Sequence, residues 1–91
     1  MALNRFYTIE EVVVPAATPT PYTIPDKARH VVMGVDAEIG GIAELRLTSA
    51  ATVGKDLPLT FVNEPELAGE TVYFYSTGGA TVQVLTRVRL A

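Results

Sequence analysis

Four prolines, Pro15, Pro19, Pro21 and Pro25, fall within residues 15–25 and divide the chain in two. Each fixes φ and lacks an N–H donor, so this stretch cannot be a central strand. Its natural form is extended, polyproline-like chain. Two uses fit: a surface connection that crosses from one sheet to another, or an arm lying on a neighbouring subunit.

What flanks the prolines is β-forming. Twelve valines and eleven threonines stand among 91 residues, against two serines, two asparagines and one glutamine. Branching at Cβ suits the pleated strand and disfavours the helix. From residue 29 the alternation is clear. Val31, Met33 and Val35 share one face, and His30, Val32, Gly34 and Asp36 the other. After a loop ending in Gly40 and Gly41, Ala43, Leu45 and Leu47 point inward while Glu44, Arg46 and Thr48 point out. Residues 29–48 therefore predict two antiparallel strands joined by a loop. Leu57–Val62 reads as a short strand. Asn63-Glu64-Pro65-Glu66 is a helix-start signature that Gly69 soon ends, so a single helical or 3-10 turn is expected.

The last segment predicts a long hairpin over about residues 70–90. Thr71, Tyr73 and Tyr75 alternate with Val72 and Phe74, and Ser76-Thr77-Gly78-Gly79 supplies a turn. In the return strand Val82, Val84, Thr86, Val88 and Leu90 share a face, opposite Thr81, Gln83, Leu85, Arg87 and Arg89. Together these elements predict an all-β fold, a small antiparallel β-sandwich or barrel over residues 26–91. Residues 1–25 are the expected extended N-terminal arm and Pro/Thr-rich linker. Within them Phe6, Thr8, Glu10, Val12 and Val14 would share one face, and Tyr7, Ile9, Glu11 and Val13 the other. Neither face is cleanly apolar, so two placements fit: a strand at a sheet edge, or an arm that finds its partner on another chain.

Little in the chain points to catalysis. The absence of cysteine removes disulfides, thiolate zinc sites and cysteine nucleophiles. His30 is the only histidine, and Asp26 and Asp36 are candidate orienting partners only by elimination, so it reads as a surface or edge residue. Neither serine sits in a nucleophile turn. Glu64, Glu66 and Glu70, like Asp36 and Glu38, lie close in sequence but match no calcium-loop pattern, so they read as solvated acid. Gly40-Gly41 and Gly78-Gly79 lack phosphate-loop spacing. No enzyme activity, cofactor or metal is expected.

Charge argues the same way about partners. Seven Lys+Arg against ten Asp+Glu give a net charge of -3, which argues against nucleic acid as the main partner. No apolar run approaches the roughly 20 residues of a membrane span. Glu10 and Glu11 break the N-terminal apolar stretch, so no secretion signal is expected. The distribution of charge carries more than its total. Residues 51–75 set Lys55 against Asp56, Glu64, Glu66 and Glu70, whereas residues 76–91 carry only Arg87 and Arg89. An acidic middle and a basic end could complement one another between subunits. Tyrosines add a second possible surface: Tyr73 and Tyr75 on one face, with Tyr7 and Tyr22 elsewhere, can stack on sugars or anchor a protein contact.

An extended N-terminal segment, a Pro/Thr linker, a compact cysteine-free β-domain and a strand running to the last residue resemble small virion proteins of tailed phages. Capsid decoration or cement proteins are the comparison. The resemblance implies a homo-oligomer, with a trimer favoured. It would be assembled in the host cytoplasm and seated in the virion on the major capsid protein or other virion subunits, bridging neighbouring capsid subunits. The expected contacts are Phe6, Tyr7 and Ile9 in the arm, Arg87 and Arg89 at the basic end, and the tyrosines Tyr22, Tyr73 and Tyr75. A glycan- or protein-binding module using Tyr73 and Tyr75, and a head–tail connector or tail component, are the alternatives.

Overall fold

A computed structural model describes residues 7–36, 41–62 and 65–88. They form eight strands: β1 (Tyr7–Val14), β2 (Thr20–Thr23), β3 (Ala28–Val35), β4 (Glu44–Arg46), β5 (Lys55–Asp56), β6 (Leu59–Val62), β7 (Thr71–Tyr75) and β8 (Ala80–Val88). A 3-10 turn at Pro65–Leu67 precedes β7, as the capping pattern predicts. Two four-stranded sheets result, sheet I in the order β1-β8-β3-β6 and sheet II in the order β2-β7-β4-β5. Every pairing is antiparallel. The fold is all-β, a small sandwich with no closure into a barrel among the described residues.

Period-two alternation explains the core. Val31 and Met33 of β3, Val82, Val84 and Thr86 of β8, and Val72 and Phe74 of β7 are buried between the sheets. Tyr22 stacks on Phe74 with ring centroids 5.7 Å apart. Ala43 and Leu45 face inward as expected, but Leu47 is 75% exposed. The reason is that β4 ends at Arg46, whose Nη1 donates to the Ala51 carbonyl at 2.8 Å and closes the chain into a loop.

The two expected hairpins are corrected. β3 pairs with β6 and β8, not with β4, and β7 pairs with β2 and β4, not with β8. Both connections cross between sheets. The apolar faces of β7 and β8 cover each other from opposite sides of the core; side by side in one sheet they would leave that face open. The crossovers meet at one end of the sandwich. Ser76 Oγ donates to the Ile42 carbonyl at 2.6 Å, and the Ala17 N–H donates to the Ser76 carbonyl at 2.8 Å. Gly41, at φ +98°, lies so close to the Gly79 carbonyl that a Cβ would sit 2.9 Å from it. Only glycine fits there.

Over its described part the N-terminal segment takes one of the two places weighed for it, the edge of a sheet. All eight residues of β1 pair with β8, from Tyr7 opposite Arg87 to Val14 opposite Ala80. Residues 15–19 then carry the chain from sheet I to sheet II, which is the crossing connection weighed from the prolines. β2 pairs with β7, and Val14, Tyr22 and Ile24 lie in the same core as residues 26–88. The prolines did not exclude a strand because β2 is an edge, where Pro21 need not donate on its free side.

Candidate functional site: the outer face of sheet I

The outward positions of sheet I can be read row by row from the strand register. Ile9 of β1 stands opposite Leu85 of β8, which stands opposite Val32 of β3. The three make a continuous apolar row across the sheet. Ile9 is 73% exposed and Leu85 37%, and Val32 is half-buried. The next row, Tyr7–Arg87–His30–Val62, adds an exposed aromatic, a cation and an exposed valine. On the other side Glu11, Gln83 and Gly34 align. A shallow depression of about 260 Å³ is lined by Ile9, Val32, Gly34, Val35, Gln83 and Leu85. Gly34 opens it: a Cβ built there would meet no heavy atom within 4 Å.

Side chains on the outer face of sheet II are tied to one another. The Arg46 guanidinium lies 3.7 Å from the centre of the Tyr75 ring. Its Nη2 also donates to Glu44 Oε1 at 3.2 Å. Thr23 and Thr71 share a hydroxyl–hydroxyl hydrogen bond of 2.9 Å. Tyr73 is half-buried opposite Arg46. Arg46 therefore occupies one face of the Tyr75 ring.

Two further clefts open on the surface. A polar one of about 400 Å³ at the crossover end is lined by Glu44, Asp56, Tyr75, Ser76 and Thr77 among others. An apolar one of about 440 Å³, lined by Leu45, Leu47, Val53, Leu59 and Phe61 with Lys55, opens between the sheet edges β5 and β6. No group of three or more His, Asp or Glu able to hold a metal occurs among the described residues.

The sequence-predicted contact residues divide as follows. Tyr7, Ile9 and Arg87 come together on the outer face of sheet I. Tyr73 and Tyr75 lie on the opposite sheet, so the set is not one surface. Tyr22, expected at a contact, is a core residue at 7% exposure, because its position on β2 turns it inward onto Phe74. Phe6 and Arg89 lie outside the described residues, as do Glu38 and Glu64. Leu85 and Val32 were missed. Their signal was an apolar residue on the otherwise polar side of an alternating strand.

Tyr22 creates a second feature, inside the sandwich. Its hydroxyl and that of Thr86 are both buried without a hydrogen-bond partner among the described residues. Thr86 and Glu10 lie near the Tyr22 hydroxyl. Burial first, and then the negative charge of Glu10, hold the Tyr22 hydroxyl above the usual tyrosine range.

No protein-family model matches the chain, and no curated protein matches it. Among solved structures it is similar to a chain from a structure of the extended interface between Pcf11p and Clp1p, described also for ATP loss in a point mutant. The TM-score is 0.48 and the identity 16%, over 87% of this chain and 16% of that one.

Proposed function

We propose that the chain is a non-enzymatic structural subunit of a virus particle, of the capsid decoration or cement type. It docks on neighbouring subunits, including further copies of itself, through the outer face of sheet I. One observation supports this reading: the exposed apolar row Ile9–Leu85–Val32, extended by Tyr7 and Val62, on a sheet face that a solitary sandwich would keep polar. Contiguous exposed apolar surface marks a contact site. The row is flanked by Arg87 on one side and Glu11 with Gln83 on the other, a polar border that fixes orientation more than it adds affinity.

The experiment is cosedimentation of the purified chain with capsid shells of the particle to which it belongs. The wild-type chain should pellet with the shells, and Leu85→Asp should stay in the supernatant while keeping its circular dichroism spectrum. Should Leu85→Asp fold poorly, Gly34→Val serves instead, since its side chain would grow into open space over the depression. Equal pelleting of wild type and both variants, or none by the wild type, overturns the reading.

A further inference from the structure

The two sheets have four edges, and three of them are poor templates for another strand. β2 carries Pro21, β5 is two residues long, and β6 spans four residues directly behind Pro58. β1 differs. It runs for eight residues, contains no proline or lysine, and pairs in unbroken register with β8 on one side only. On the other side every second residue presents its backbone N–H and C=O with no strand beside it among the described residues. Long, regular edges of this kind invite pairing unless something opposes it.

What opposes it is Glu10 and Glu11 at the middle of the strand, and their opposition is selective. Glu10 lies on the inner face with Val12 and Val14, near Tyr22, and Glu11 on the outer face with Ile9 and Val13. If a second copy of β1 paired antiparallel with full overlap, Glu10 would stand opposite Glu11 of that copy, and Glu11 opposite its Glu10. A slip of one residue either way sets Glu10 against Glu10 or Glu11 against Glu11. Like charges directly opposite disfavour each of these registers. A strand carrying a cation on each face at the same level would meet the opposite condition: main-chain hydrogen bonds along the edge and two complementary charge pairs.

We propose that the free edge of β1 is a docking site for an extended segment of a different protein, added antiparallel to sheet I, with a lysine or arginine on each face opposite Glu10 and Glu11. This deepens the structural-subunit reading and rests on it. Copies of the chain meet through the face of sheet I, and a basic strand of another subunit joins at its edge. The mode is strand addition, in which backbone bonds supply affinity and side-chain placement supplies selectivity.

The test uses the full chain, labelled with ¹⁵N, and two short capped peptides that alternate valine and threonine. One has an adjacent arginine pair at its centre and the other an adjacent glutamate pair. The arginine peptide should shift the amide resonances of residues 7–14 and leave those of β2, β5 and β6 in place. The glutamate peptide should bind about tenfold more weakly or worse. Glu11→Arg, an exposed outward position, should lose affinity for the arginine peptide and gain it for the glutamate peptide. Equal binding of the two peptides, shifts centred away from β1, or no effect of Glu11→Arg overturns the proposal. Leu85→Asp separates it from the reading above: that variant should lose docking through the face yet bind the arginine peptide as the wild type does.

Discussion

Ile9 and Leu85 stand directly opposite each other in the β1–β8 pairing, both on the side of sheet I that faces away from the core. Two large aliphatic side chains in cross-strand contact stabilise a sheet modestly wherever they point. Pointing to solvent, they leave apolar area that a further contact can still cover. That outward pairing separates this sheet from its partner, where the Arg46 guanidinium lies over the Tyr75 ring and pairs with Glu44.

The pairing of β1 also decides what removal of the N-terminal segment does. A chain beginning at Pro15 lacks the strand that covers one edge of β8, together with buried Val14. Burying one valine is worth about 1.5–3 kcal/mol, and the main-chain bonds of eight residues go with it. The truncated chain should show no cooperative urea transition. A sharp transition near that of the full chain would show β1 to be dispensable for folding.

Arg46 should resist conservative replacement. Its planar guanidinium covers the Tyr75 ring, meets Glu44 and donates to the Ala51 carbonyl that closes the loop after β4. Lysine keeps the charge but not the plane or the fork of donors. Arg46→Lys should lower stability by about 1–2 kcal/mol and raise hydrogen exchange at the amide protons of residues 47–54. Unchanged denaturation and exchange would mean that the charge alone suffices.

Tyr22 gives the fold an alkaline limit. Its folded pKa is raised, so the folded chain holds the phenolic proton more tightly than the unfolded chain, whose tyrosine keeps the ordinary value of 10.0. The resulting stability is fully present below pH 10.0 and declines as pH rises from there through the higher folded value. Chemical denaturation between neutral pH and the alkaline range should show this loss in the wild type and a smaller one in Tyr22→Phe. Identical alkaline profiles for the two would rule out Tyr22 as the source.

Much of the fold was legible because burial follows alternation. Val31, Met33, Val72, Phe74, Val82 and Val84 could be assigned to inner faces from spacing alone. The partner of each strand could not. A strand with one apolar face reads the same whether it turns back within its sheet or crosses to the facing one, and Ser76–Gly79 supports either path. β1 was obscured by Glu10, an inward position at the sheet edge where a carboxylate stays exposed beside Tyr22. Of the candidate face, Tyr7, Ile9 and Arg87 were legible as residues but not as neighbours of Leu85 and Val32, since only the β1–β8–β3 order brings the five together.

The central claim is that the outer face of sheet I is a contact surface. Sedimentation equilibrium of the wild-type chain beside Leu85→Asp and Gly34→Val tests it most directly. The account predicts a concentration-dependent assembled species for the wild type and monomers for both variants, at unchanged secondary structure. A wild-type chain that remains monomeric throughout, or variants that assemble as it does, would contradict it.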